Sequence, residues 1–396
     1  MFPKEECVER VQRMQKILKE KNIDGALIVQ RADTLYFTGT AQDLHIYIPQ
    51  EGSPLVLVYR DPERARKETP WEIHPLTGLS KLPQLIKEYG HSYPQTLGLE
   101  LDVLPVANFR RYQRYFPQTE MVDISYDLRL LRAVKSPWEI AQIEKTGEIY
   151  KELMKYIPTV LRPGMTEIEL EGLIEWKART LGHETMLRTR AFNFEFHFGG
   201  VVAGPQGAIP TYFNGPVGGL GASFAHPLGP SANPIKEGDM VMIDLALAFN
   251  GYQIDTTRMA VIGEPSPKLL EAYAYTLQIE ELIRLALVPG RVIGEIYDEI
   301  LEWVRRETPY ENNFMGYGSS RVPFVGHGIG LELDELPTIS KGANITLAPG
   351  MVISVEPKFI FPGEGAIGVE DTLVVEGEEG ARFLCDCPRD IIIISP

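Results

Sequence analysis

Residues 238–258 read GDMVMIDLALAFNGYQIDTTR, and the fold is decided by this stretch. Two apolar, strand-like runs flank Asn250-Gly251, a pair favoured in two-residue hairpin turns because both central positions need positive φ. Such a turn fixes the register. Phe249 then faces Tyr252 and Ala246 faces Asp255; because side chains alternate along a strand, Asp244 shares a face with Ala246. Asp244 and Asp255 become diagonal neighbours, about 7 Å apart at Cβ, within reach of a shared pair of metal ions. A carboxylate in an apolar strand is costly unless compensated, which favours ligation over solvent decoration.

A second stretch repeats the arrangement with glutamates. Residues 351–357 (MVISVEP) and 366–371 (AIGVED) flank Pro362-Gly363-Glu364-Gly365, and Gly363 lies midway between Glu356 and Glu370. Strands folding back about that turn bring the two glutamates face to face, unless a bulge shifts them by one residue. Four carboxylates are neutralised by two divalent cations, and a neutral imidazole is the usual remaining ligand. Of the 7 histidines, His327 stands out in Val325-Gly326-His327-Gly328-Ile329-Gly330, where flanking glycines let a neighbouring backbone come close.

The 396 residues suit two domains. Residues 6–21 have a helical pattern, and residues 24–30 and 54–59 read as short buried strands, together a small α/β unit. Beyond Lys135 a long helical pattern opens with Ser136 as N-cap, Pro137 in the first turn and Glu139 at the capping-box position. The domain boundary is expected near residue 130. The later part carries a faint repeat: Leu161-Arg162-Pro163-Gly164-Met165 and Leu287-Val288-Pro289-Gly290-Arg291 each precede an amphipathic helix and then strand-like segments. A duplication of this kind implies a two-lobed α+β domain with its site between the lobes.

Composition narrows the function. Lys and Arg number 39 against 54 Asp and Glu, a formal net charge of −15 that repels phosphate backbones and anionic lipid headgroups. Nucleic acid and membrane are therefore not expected as partners. The opening MFPKEECVERVQRMQKILKEKN is charged throughout, without the apolar core of a signal peptide, and a cytoplasmic location is expected. Cys7, Cys385 and Cys387 read as unpaired thiols in a reducing compartment.

These residues carry a resemblance. They are similar to the pita-bread metallopeptidases, the family of methionine aminopeptidase, aminopeptidase P, prolidase and the metal-free creatinase. The resemblance covers roughly residues 135–390, and the front third resembles the N-terminal domain of the prolidase and creatinase branch. It implies an α/β creatinase-like domain over residues 1–130, then an α+β pita-bread catalytic domain over 131–396 in which the internal repeat is a pseudo-twofold. The family's metal ligands fall on Asp244, Asp255, His327, Glu356 and Glu370, holding two divalent ions (Mn, Co, Fe or Zn). Asp255 and Glu370 would bridge both ions, a bridging water would be the nucleophile, and Glu356 would relay its proton. The implied activity is hydrolysis of a small peptide amide of the Xaa-Pro dipeptidase or aminopeptidase type by a homodimer.

There are departures. Thr211 and Asp334 stand where prolidase-like enzymes carry histidines, and Gly368 stands where they often carry an arginine. Thr211 and Asp334 are expected on the substrate side, with His226 or His197 as replacement donors and Gly215 to Gly221 as a substrate-side loop. The alternatives are a hydrolase or lyase for a nonpeptide amino-acid derivative, and a noncatalytic peptide-binding module, which has no need of five ligands.

Overall fold

The computed structural model describes residues 2–396, which fall into two compact units: one runs to Arg132 and includes Arg190–Asn193, the other comprises Ala133–Thr189 and Phe194–Pro396. In the first, helix Lys4–Glu20 turns Cys7, Val11, Met14 and Leu18 inward at the spacing of a single helical face. Six strands follow: β1 (Gly25–Ile28), β2 (Leu44–Pro49), β3 (Leu55–Val58), β4 (Ile73–Pro75), β5 (Thr96–Leu99) and β6 (Glu120–Asp123). They form one sheet in the order β4-β3-β2-β1-β5-β6, antiparallel from β1 to β3 and parallel elsewhere. The unit also buries an ion-pair cluster. Arg190 grips Asp102 with Nε and Nη2 at 2.7 and 2.9 Å, and reaches Asp33 with Nη1 at 2.6 Å. Arg132 takes the other Asp33 oxygen at 2.6 Å. Burial alone would raise the Asp33 carboxyl, but the two guanidinium groups hold it below its ordinary value.

The second unit opens on helix Pro137–Val160, whose capping box forms as expected. Ser136 Oγ accepts from the Glu139 amide at 3.2 Å, and a Glu139 carboxylate oxygen accepts from the Ser136 amide at 3.0 Å. Ser136→Ala removes one acceptor and is expected to cost about 1 kcal/mol, read as a lowered urea midpoint; an unchanged midpoint would show that the cap adds nothing.

Strands β7 (Gly199–Ala203), β8 (Met240–Phe249), β9 (Tyr252–Ile262) and, at the chain's end, β17 (Ile392–Ile394) form one sheet in the order β17-β9-β8-β7. Strands β10 (Phe324–Gly328), β11 (Glu335–Ser340), β12 (Val352–Val355), β15 (Asp371–Gly377) and β16 (Gly380–Phe383) form another, ordered β11-β10-β12-β15-β16. A separate ribbon pairs β13 (Lys358–Phe361) with β14 (Gly365–Gly368).

The internal repeat is visible in the hydrogen bonding. Gly164 donates to Ile235 O at 2.8 Å and Ile235 donates to Met165 O at 2.8 Å; Gly290 donates to Leu347 O at 2.9 Å and Leu347 donates to Arg291 O at 2.8 Å. Each Pro-Gly segment links a helix pair, Pro137–Val160 with Glu167–Thr180 and Pro267–Ala286 with Ile293–Glu307. The second helix of each pair buries one apolar face: Leu170, Ile174 and Ala178 in the first copy, Ile296, Ile300 and Val304 in the other. Ile235 and Leu347 in turn lead toward the strand that carries Asp244 and the strand that ends just before Glu356, so the two copies place a carboxylate at equivalent positions, 112 residues apart. Among the described residues no helix is long and apolar enough to cross a membrane.

Candidate metal centre

The first hairpin has the register its turn dictates. Asn250 and Gly251 take φ of 51° and 81°, Phe249 pairs with Tyr252, and Ala246 pairs with Asp255. In the second hairpin, Val352 pairs with Val374 and Val355 with Asp371, then Lys358 with Gly368 and Phe361 with Gly365. The register is therefore continuous about Gly363, without a bulge. Glu356 and Glu370 sit in the gap between the two ladders, just where the hairpin leaves one sheet for the next. The free edge there is taken up by the first hairpin: Thr257 donates to Glu370 O at 3.1 Å, and the Glu370 amide returns a bond to Thr257 O at 3.4 Å. That crossing brings the two pairs of carboxylates together.

His327 enters from β10, pressed between β11 and β12. A Cβ on Gly326 would lie 2.5 Å from Ser354 O, and one on Gly328 would lie 2.3 Å from Leu336 O, so only glycine permits both approaches. His327 Nδ1 is 3.1 Å from the carbonyls of Gly328 and Leu333, which makes it the protonated nitrogen and leaves the Nε2 lone pair for a ligand. Nε2 lies 3.9 Å from both Asp255 Oδ2 and Glu370 Oε1. Ligand atoms of Asp255, His327 and Glu370 lie within 4.8 Å of one another, and Asp255 Oδ1 is buried with no hydrogen-bond partner. An orphaned carboxylate oxygen beside an imidazole lone pair is a donor set that fits a divalent cation. Burial, and then the neighbouring Glu370 and Asp244, push the Asp255 carboxyl well above its ordinary value, the strain a bound cation would relieve. Hydroxyls hold the set in place, with Ser354 and Thr257 donating to the two Glu370 oxygens at 3.0 Å each.

The centre also holds a cation of its own. Lys358 Nζ sits 2.9 Å from Asp244 Oδ2, 3.0 Å from Glu356 Oε2 and 2.8 Å from Glu370 Oε2, with its side chain only 2% exposed. Burial alone would lower its pKa; Asp244, Glu356 and Glu370 reverse that and hold it well above the ordinary lysine value. This residue was missed in the sequence, although a signal existed. Lys358 begins a buried apolar run, lies two residues past Glu356 and so on its face, and pairs with Gly368. The expectation of two divalent ions did not include it.

A narrow cavity of about 90 Å³ opens over the cluster, walled by Phe196, Phe213, Val217, Leu228, Phe324 and Leu333. Asp244, Asp255, His327, Glu356, Lys358 and Glu370 all line it, as does the loop Gly215 to Gly218. Part of the expected substrate-side loop thus reaches it, and of Thr211, Asp334, His226 and His197 only Asp334 does, 47% exposed and 3.5 Å from His327 Nδ1. Thr211 is not part of the lining, since its hydroxyl donates to the Pro227 carbonyl within its own loop. His226 is exposed and also away from the lining, in a tight turn with Ser223. His197 likewise points elsewhere, with Nε2 3.1 Å from Glu175. Sequence spacing could not foresee this, because the direction of a loop side chain is set by contacts remote in sequence.

Buried carboxylates and an imidazole arranged on two crossed hairpins below an apolar-walled cavity define a metal-dependent hydrolase. Residues 141–377 match the model of metallopeptidase family M24, residues 10–134 match that of the creatinase/prolidase N-terminal domain, and the chain belongs to family M24. It is 28% identical over 388 residues to the Xaa-Pro dipeptidase of Pyrococcus furiosus, covering 97% of this chain and 99% of that one. Among solved structures, the Xaa-Pro dipeptidase from Bacillus anthracis superposes with a TM-score of 0.82 at 26% identity, over 98% of this chain and 100% of the other. The X-Pro aminopeptidase from Thermotoga maritima gives 0.79 at 26% identity, over 97% and 99%. The expected creatinase-like domain and pita-bread domain are thus both present.

Proposed function

We propose that the chain hydrolyses small peptides of the Xaa-Pro type with the aid of divalent metal, Asp255, His327 and Glu370 being the core of the ligand set. The convergence of these groups at an apolar-walled cavity, in a chain similar over nearly its whole length to an Xaa-Pro dipeptidase, carries the reading. A divalent ion there supplies Lewis acidity toward a carbonyl and makes water more acidic. The chain's own residues do the rest. The Gly328 and Leu333 carbonyls orient His327, Ser354 and Thr257 fix the Glu370 carboxylate, the apolar walls exclude bulk water, and Glu356 accepts a proton and returns it to the leaving amine. Release of proline from Xaa-Pro dipeptides by the manganese- or cobalt-loaded protein tests this; no release from any dipeptide would reject it.

Asp334 favours a substrate that brings a positive charge. An exposed carboxylate contributes about 1 kcal/mol to such a pair, close to fivefold in binding. Asp334→Asn should therefore raise KM about fivefold for a cationic amide and leave neutral dipeptides unchanged; equal effects on both would remove Asp334 from recognition.

A homodimer is part of the same proposal. Phe224 is 99% exposed, an apolar side chain that a second copy would cover. Light scattering at micromolar concentration is expected to give twice the mass of one chain, and a monomer would reject the dimer. A cytoplasmic site of action suits the buried, unpaired thiols of Cys7, Cys385 and Cys387.

A further inference from the structure

We infer that Lys358 takes the place of one of the two metal ions, so that the centre is built for a single divalent cation beside a permanent ammonium. The inference rests on the metal-dependent reading above and specifies its ion count.

Three observations carry it. An ammonium has three donors and no acceptor, and Lys358 spends all three on Asp244, Glu356 and Glu370 at 2.8 to 3.0 Å, the range of charge-assisted bonds. Paired metal ions sit about 3.5 to 4 Å apart and share bridging carboxylates. An ion bound through Asp244 and Glu370 would need the oxygens, and nearly the space, that Nζ already has.

The second observation is how the lysine stem is accommodated. Lys358 and Gly368 are direct cross-strand partners, and a Cβ on Gly368 would come within 2.4 Å of Lys358 Cγ. The missing side chain at 368 is what lets the lysine lie flat and reach the carboxylates. The lysine at 358 and the glycine at 368, the latter a departure from the family pattern, therefore form one structural unit.

The third observation is what Lys358 leaves alone. Asp255 and the His327 Nε2 make no contact with it, and Asp255 Oδ1 keeps no partner at all. These atoms, with Glu370, are the cluster whose ligand atoms lie within 4.8 Å. The lysine has claimed the Asp244 half of the centre and left the His327 half to a metal. In charge, four carboxylates against one ammonium and one divalent ion leave a single negative charge, whereas a second divalent ion would turn the buried cluster positive.

The test is metal stoichiometry, independent of any substrate. Protein stripped with chelator and titrated with Mn²⁺ by calorimetry, with elemental analysis after desalting, should take up about one ion per chain. Asp244→Asn should keep that ion and Asp255→Asn should lose it, while Lys358→Gly should raise the count to two. Two ions in the unaltered protein would overturn the inference, as would none, or loss of the ion in Asp244→Asn with retention in Asp255→Asn. Should Lys358→Gly fail to fold, the unaltered protein and the two aspartate variants decide the matter alone. One ion bound without hydrolysis of any Xaa-Pro peptide would leave the inference standing and reject the substrate assignment instead.

Discussion

Glu356→Gln is expected to lower kcat by about 10² to 10⁴, the usual contribution of a positioned proton acceptor, while KM moves little. The variant is conservative because the amide oxygen can still accept from Lys358 Nζ, 3.0 Å away in the native protein, so the ammonium and the cavity remain in place. What the amide cannot do is take a proton. Steady-state kinetics on a hydrolysed dipeptide settle the point, with manganese uptake as the control that the centre is intact. A kcat within threefold of native would remove Glu356 from proton transfer and pass that role to another group at the cavity.

The largest stability effect is expected at Arg258, which lies fully buried beneath the centre. Its Nη2 donates to Asp371 Oδ1 at 2.8 Å and to Cys387 O at 2.9 Å, Nη1 to Thr257 O at 2.8 Å and Glu370 O at 3.0 Å, and Nε to Pro388 O at 2.8 Å. Arg258→Met keeps the volume and strips every one of these bonds. Breaking a buried pair by removing one partner costs about 3 to 5 kcal/mol, because the stranded charge and carbonyls stay buried. Asp371 retains Arg389 at 2.8 Å, which should keep the loss within that range. Urea unfolding measures it, and a loss below 1 kcal/mol would mean that water or Arg389 substitutes for the guanidinium. Since Arg258 also ties down the Glu370 carbonyl, weaker metal binding should accompany the lower stability.

Much of this centre could be read from the sequence because local rules governed it. The Asn250-Gly251 turn permits one register, and that register puts Asp255 opposite Ala246. The glutamate hairpin kept its symmetry about Gly363 on both sides of the gap, so midpoint counting placed Glu356 and Glu370 correctly. Counting could not reveal that the ladder opens at those two residues and that the first hairpin fills the opening; this is a contact between segments more than a hundred residues apart. Thr211 and His226 went astray for a related reason: loop side chains turn toward whatever partner is nearest in space, here the Pro227 carbonyl for Thr211. Lys358 escaped notice because a lysine at a strand's start is ordinarily at the surface. Only its burial, with Gly368 across from it, reveals its role.

The close fit of Lys358 over Gly368 also restricts how a sequence can move between this centre and one with an arginine at position 368. With Cγ of the lysine 2.4 Å from where any Cβ at 368 would sit, a side chain at 368 and the lysine lying in this conformation exclude each other, and each is disfavoured while the other remains. An open route passes through glycine at 368, and the side chain there must vanish before a lysine can arrive at 358. The return journey runs in the opposite order, lysine first out and arginine last in. Gly368→Arg alone is thus disfavoured in this chain, and the lysine at 358 acts as a latch on its neighbour.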